Sequence, residues 1–263
     1  MASIKFLTYN VWSCEHVAVY RRIRAICEII ERHDPDVIFL QIPPPLLVNL
    51  STVWALVAVE QVACPRGGSS DYRGSWAMGS SLTSAPPRCS RAGEIPSDLM
   101  SAWVYGRPRL RAATCSLAGP TPSDIGAVHR RARAGAFLEH FDVLDRNVVL
   151  GGDLGWDDDL DGPLRLGGDG WVDAWSELRG GGGWTYDVVA NPMLRGLNLP
   201  AARRRPDRFI CKLRDFALGS IKMVGVEPIP GVARFDDKGN VLPVLPSHHF
   251  GLRLTIVSTK RNA

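Results

Sequence analysis

Residues 4–41 read IKFLTYNVWSCEHVAVYRRIRAICEIIERHDPDVIFLQ, and this stretch decides the fold. Ile4 to Asn10 has the composition of a short strand. Val17 to Arg32 follows with Tyr20, Ile23, Cys27 and Ile30 three to four residues apart, the spacing that lays one helix face against a core. Asp34-Pro35-Asp36 ends the helix, because proline removes a backbone donor and drives the residue before it out of helical geometry. Val37-Ile38-Phe39-Leu40 is then an unbroken apolar run, which fits a strand covered on both faces. The order expected here is strand, helix, strand.

Outward from this segment, the pattern weakens and then recovers. Between Pro43 and Gly106 the runs Pro43-Pro44-Pro45, Gly67-Gly68-Ser69-Ser70 and Ala85-Pro86-Pro87 interrupt every candidate element, and Val53 to Val62 reads equally as a strand or a short helix. Order resumes with a strand from Arg109 to Cys115 and a helix from Asp124 to Phe141. A buried strand from Asn147 to Leu150 then ends in Gly151-Gly152-Asp153. In the last third, glycine-rich loops such as Gly180 to Gly183 alternate with strands at Asp207–Lys212, Ser220–Val224 and Gly251–Val257. Strands recurring with few helices between them favour a layered α/β sandwich over a doubly wound sheet, in which each parallel neighbour would need a crossover.

Composition bounds the rest. With 263 residues, 45% hydrophobic and 22% charged, the chain can bury a core and is too mixed to be disordered. Hydrophobic segments run from Ile4 to Val257 without a long polar linker, so a single domain over 1–263 is expected, with 43–106 its least regular part. A net charge of +4 does not announce a nucleic-acid binder, although Arg203-Arg204-Arg205 is a local basic cluster. The six cysteines show neither a CxxC pair nor a metal-ligand rhythm, the usage of an intracellular protein with reduced thiols. No secretory signal and no span of about 20 apolar residues is visible, so no membrane association is expected.

Three stretches in order, Phe6 to Trp12, Asp34 to Gln41 and Gly152-Asp153, resemble the endonuclease/exonuclease/phosphatase superfamily. Four more, Gly170 to Trp175, Gly183 to Asp187, Asp207-Arg208-Phe209 and Leu245 to Gly251, look like its tyrosyl-DNA phosphodiesterase 2 branch, the plant members in particular. The resemblance covers residues 1–41 and 107–257 well and 43–106 poorly. It implies a two-layer β-sandwich flanked by helices, Mg²⁺-dependent hydrolysis of a 5′-phosphotyrosyl bond, a role in DNA repair in the nucleus, and DNA ends or single-stranded DNA as partner.

Residue by residue, the resemblance assigns catalysis to Asn10, which orients phosphate or a neighbouring carboxylate, to Asp153 of the GDxN segment, and to His249, which stabilises phosphoryl charge. It assigns substrate contact to Gln41, Trp184, Tyr186, Arg205 and Arg208. Other positions depart from the family. Ile42 stands where the Mg²⁺-ligating glutamate belongs, and isoleucine offers no oxygen to a hard cation. Ser116 replaces a histidine and Ala118 a glutamate of the TSHLES segment, Gly155 replaces the asparagine of GDxN, and His248 replaces the aspartate before the last histidine. No metal ligand is therefore assigned, and Mg²⁺ is expected to bind weakly or not at all.

Other readings compete for the same residues. Asp157, Asp159 and Asp161 before Gly162 match half of an EF-hand loop, but Gly168 stands where a bidentate glutamate is needed, which argues against calcium. His248-His249 fits an exposed pair or a transition-metal site, and the lack of a third strong ligand in the sequence argues against the metal. Three functions stay open at this point: a degraded phosphodiesterase scaffold that still binds DNA, an active Mg²⁺-dependent phosphodiesterase, and a protein-interaction module.

Overall fold

The opening segment folds as β1 (Ser3–Asn10), α1 (Val19–His33) and β2 (Val37–Gln41). The computed structural model describes residues 3–12, 14–41, 77–79, 99–103, 110–117, 126–142, 147–166, 170–199 and 202–259. β1 and β2 pair in parallel, with Asn10 beside Gln41, so α1 is the crossover such a pair requires. Asp34 closes the helix in the left-handed conformation (φ 43°), donating its N–H to the Ile30 carbonyl. The buried face of α1 keeps Ile23, Cys27 and Ile30 of the expected set, loses Tyr20, and gains Arg22, Ile26 and Ile29. Tyr20 is 66% exposed, and Arg22 is buried at 1%.

β1 and β2 belong to a five-stranded sheet ordered β11-β14-β1-β2-β3, with β3 (Ala77–Gly79), β11 (Phe216–Val224) and β14 (Gly251–Ser258). A second five-stranded sheet runs β4-β5-β6-β10-β7, built from β4 (Leu99–Trp103), β5 (Arg111–Cys115), β6 (Asn147–Asp153), β10 (Asp207–Leu213) and β7 (Trp171–Asp173). β3 and β4 lie in the stretch whose sequence shows no clear element; Ile42 and residues 53–62 are outside the described residues. Two ribbons complete the strands: β8 (Tyr186–Asp187) with β9 (Arg203–Arg204), and β12 (Ala233–Phe235) with β13 (Val241–Pro243).

Alternation of side chains explains the layering. Phe6 from β1, Phe39 from β2, Val149 from β6, Phe209 and Cys211 from β10, and Leu252, Leu254 and Ile256 from β14 form one apolar cluster between the sheets. Full burial of each such side chain is worth roughly 1.5–3 kcal/mol. On the outer side of the first sheet, Leu7, Ile38 and Leu40 pack with Ile23, Ile26 and Ile30 of α1. On the outer side of the second, Ala113, Val148 and Ile210 pack with Ala134, Leu138 and Phe141 of α2 (Gly126–Asp142). The architecture is thus the expected α/β fold, a two-layer β-sandwich flanked by helices. Among the described residues no helix is long and apolar enough to cross a membrane.

Glycine is required where the strands approach the site. A Cβ on Gly152 of β6 would collide with the Cys115 carbonyl of β5. Beyond β6, the acidic loop is structural. Asp157 caps the short helix α3 (Asp158–Asp161) by accepting from the N–H groups of Asp159 and Leu160. Asp161 takes a two-bonded contact from Arg130 of α2 at 2.8 and 2.6 Å, both side chains being buried. These carboxylates are committed to a helix end and an arginine.

Candidate functional site

Strand register brings the polar side chains together. β6 ends at Asp153 and β10 begins at Asp207, and the two residues are directly opposite on the antiparallel ladder. β1 ends at Asn10, whose Nδ2 donates to Asp153 Oδ2 at 2.6 Å across the two sheets. His249, just before β14, lies with Nδ1 2.7 Å from Asp207 Oδ2 and 4.0 Å from Asp153 Oδ2. Asn10, Asp153 and His249, far apart in sequence, therefore share one cluster. Asp207 is its fourth member.

The second shell of contacts fixes this cluster. Thr185 Oγ1 donates to Asp207 Oδ2 at 2.6 Å, and the Phe250 N–H donates to the Thr185 carbonyl at 2.7 Å, tying the His249 segment to the Thr185 segment. The Gly155 N–H donates to Asp153 Oδ1 at 2.7 Å, so a backbone donor orients the carboxylate where the family has an asparagine; Gly155 itself adopts φ 56°. Ser116 is exposed and bridges to Asp153 as a backbone neighbour.

Electrostatics follow from burial. Asp153 has its pKa raised, first by burial and then by the Asp207 charge, against the opposing pull of His249 and the Gly155 and Asn10 hydrogen bonds. For His249 burial is the largest influence and acts downward. The charge and hydrogen bond of Asp207, with Asp153 behind them, outweigh it, and the net shift is upward. His248 goes the other way: burial, then His249 and Arg22, push it well below its ordinary value, and it is neutral. Its ring stacks on Trp12 with centroids 5.5 Å apart, and its Nδ1 lies 3.3 Å from Ser247 Oγ. Arg22 braces this wall from below by donating to the carbonyls of Val17, Trp12 and Cys14, its guanidinium 4.8 Å from the Trp12 ring centroid.

The substrate-contact candidates are placed less uniformly. Gln41 is 2% exposed, and its amide donates to Thr8 Oγ1 and Thr114 Oγ1 in the sandwich interior. Tyr186 is buried with its ring edge-on to His249 at 5.4 Å. Trp184 is 38% exposed, with the Arg203 guanidinium 3.9 Å from its ring centroid. Arg205 grips Asp173 at 2.9 and 3.0 Å. Arg208 is buried between Asp158 and Asp173. Both of these arginines are spent on carboxylates of the chain itself.

Among the described residues one group can offer ligands to a metal ion: Asp153, Asp207 and His249, with ligand atoms within 4.8 Å of one another. Its donor set does not suit Mg²⁺. Both Asp153 oxygens and Asp207 Oδ2 are already bonded, Asp207 Oδ1 is the remaining buried oxygen without a partner, and all three residues are buried. Mg²⁺ prefers six oxygens in an octahedron, and this group offers it two carboxylates and an imidazole nitrogen.

The Endonuclease/Exonuclease/phosphatase family matches residues 7–230. The chain belongs to this family. Its fold is shared by solved members: a humanized form of D. rerio TDP2 (18% identity, TM-score 0.65, covering 97% of this chain and 99% of that one), and D. rerio TDP2 complexed with single-strand DNA product (16%, 0.64, 98% and 100%). Truncated TDP2 from Caenorhabditis elegans is a third (15%, 0.62, 97% and 98%). No curated protein sequence matches significantly. The likeness of this family member to TDP2, visible in its motifs, thus extends over nearly the whole fold.

Reading the sequence did not single out Asp207 or Thr185 as parts of the cluster. A signal existed. Asp153 ends and Asp207 begins an apolar strand, and two adjacent antiparallel strands put such residues at the same end of a sheet.

Proposed function

We propose that this chain is a tyrosyl-DNA phosphodiesterase 2-like protein of the nucleus that holds DNA ends or single-stranded DNA at the Asn10–Asp153–His249 cleft. Its metal-dependent hydrolysis of 5′-phosphotyrosyl bonds is severely weakened. The observation that carries this reading is the His248 position. Where the family has a carboxylate next to the last histidine, this chain has a neutral imidazole stacked on Trp12. Together with Ile42 in place of the glutamate, that removes two of the carboxylates that would serve a hard cation.

What remains suits binding better than turnover. His249, favoured in its protonated form by Asp207, offers positive charge to a phosphoryl group. Asn10 holds Asp153, and Asp153 with its raised pKa accepts a proton more readily than an ordinary carboxylate. Loss of one preorganised group commonly costs on the order of 10²-fold or more in rate, and groups that act together are not additive.

Retention of Asn10, Asp153 and His249 in one cluster favours a second reading, an enzyme that tolerates the replacements. Release of tyrosine from a 5′-tyrosyl oligonucleotide separates the two, with the parent run beside a variant carrying Ile42→Glu, Ser116→His, Gly155→Asn and His248→Asp. The proposal expects a slow parent and a combined gain larger than the single changes predict. A fast parent that the four changes do not improve would contradict it.

A further inference from the structure

We propose that Arg204 is a phosphate-binding residue of the cleft, donating to a phosphoryl oxygen where relatives rely on a metal ion. This rests on the reading that the cleft holds DNA phosphate, and it concerns how that phosphate is held.

The four arginines between 203 and 208 differ in what they already bond. Arg205 and Arg208 are closed forks on Asp173 and Asp158, at 2.7 to 3.1 Å. Arg203 spends its Nε on Asp187 at 3.0 Å and leaves nearly half its side chain in solvent. Arg204 alone of the four has a buried Nε–H with no acceptor. Its contact with Asp157 is a long 3.8 Å, its side chain also hydrogen-bonds Tyr186, and it is 13% exposed, so the open donor is the Nε–H. A buried donor without an acceptor costs roughly 1–3 kcal/mol, a cost that a ligand oxygen removes.

Register aims this group at the site. Arg204 is the direct cross-strand partner of Tyr186 on the β8–β9 ribbon, so both side chains rise from the same face. The guanidinium carbon sits 4.9 Å from the Tyr186 ring centroid, a cation–π contact that fixes the fork with little remaining freedom. The Tyr186 ring in turn meets His249 edge-on at 5.4 Å. Arg204 also acts on His249 at a distance, its charge opposing protonation there. A doubly charged phosphate monoester between Arg204 and His249 would satisfy the open Nε–H and relieve that repulsion. A purely structural Arg204, pairing Asp157 and covering Tyr186, would be visible in stability alone.

The test is binding of a single-stranded oligonucleotide bearing a 5′-phosphate, against the same oligonucleotide with a 5′-hydroxyl, in EDTA and in Mg²⁺. The parent, Arg204→Gln, Arg204→Lys and the exposed-hairpin control Lys238→Gln are compared, with melting temperatures taken on the same samples. The parent is expected to bind the 5′-phosphate equally in EDTA and Mg²⁺ and to prefer it over the hydroxyl. Arg204→Gln loses that preference with about a tenfold loss of affinity, and its salt slope falls by about one. Arg204→Lys keeps part of it, having the charge without the fork, and Lys238→Gln matches the parent. The inference is overturned if Arg204→Gln binds the 5′-phosphate as the parent does, or if the parent needs Mg²⁺ to bind it. A parent that binds neither oligonucleotide in either condition removes the DNA-binding reading itself, and this inference with it.

Discussion

Replacing Asp207 by asparagine isolates the electrostatic centre of the cluster with almost no change of shape. Asp207 is 1% exposed and accepts from His249 Nδ1 and Thr185 Oγ1 through one oxygen. Asparagine keeps a carbonyl acceptor but turns a charge-assisted hydrogen bond, worth roughly 1.5–3 kcal/mol, into a neutral one of roughly 0.5–1.5, so the loss is about 1–2 kcal/mol. The sign with pH is determined. The folded pKa of His249 is raised, so its stabilisation is complete below the ordinary histidine value of about 6.5 and disappears as pH rises through the folded value. Asp153 adds to the same trend. Its folded pKa is raised partly by Asp207, a cost to the folded state that builds up between the ordinary carboxylate value and the folded pKa, is full above it, and is relieved by Asp207→Asn. The substitution therefore costs most at about pH 5.5 and least at about pH 8.5. In a chain of this size 1 kcal/mol moves the melting temperature by about 2–4 °C, so calorimetry should find a drop of about 2–8 °C at the acid end and a smaller one at the alkaline end. An equal drop at both ends, or a larger one at high pH, would refute this account of the cluster.

Three further substitutions test the scaffold. Arg22→Met leaves the carbonyls of Val17, Trp12 and Cys14 without their donor and should cost roughly 3 kcal/mol or more in urea unfolding, with a changed near-ultraviolet signal from Trp12. Gly152→Ala forces β5 away from β6 next to Asp153 and should cost about 1–3 kcal/mol by the same measurement. Asp161→Ala removes the carboxylate that takes two hydrogen bonds from the buried Arg130 guanidinium and should cost roughly 3 kcal/mol, while added Ca²⁺ leaves the melting temperature of the parent unchanged.

The strand–helix–strand opening was legible because its periodicities are clean, and the exchange of Tyr20 for Arg22 on the buried face of α1 is instructive. Tyr20 has the right spacing for the core but faces solvent, whereas Arg22 is buried because three loop carbonyls need its donors. Apolar spacing cannot register such a polar demand. β6 and β10 were legible as apolar runs, yet their pairing, and with it the Asp153–Asp207 contact, depends on a long-range register that no local pattern encodes. The same limit governs the basic run. Arg203, Arg204, Arg205 and Arg208 look alike in sequence, and only the positions of Asp187, Asp157, Asp173 and Asp158 distinguish spent arginines from the one with an open donor. Pro43 to Gly106 gave no pattern, and its strands β3 and β4 are defined by the neighbours they pair with, β2 and β5.

The proposed function keeps the fold and the Asn10–Asp153–His249 outline without hard-metal chemistry. Its most direct test is the rate of tyrosine release from a 5′-tyrosyl oligonucleotide at high enzyme concentration, measured for the parent with excess Mg²⁺ and with EDTA. The expected rate is near background and the same in both conditions. Rapid release that requires Mg²⁺ and vanishes in Asp153→Ala would contradict it.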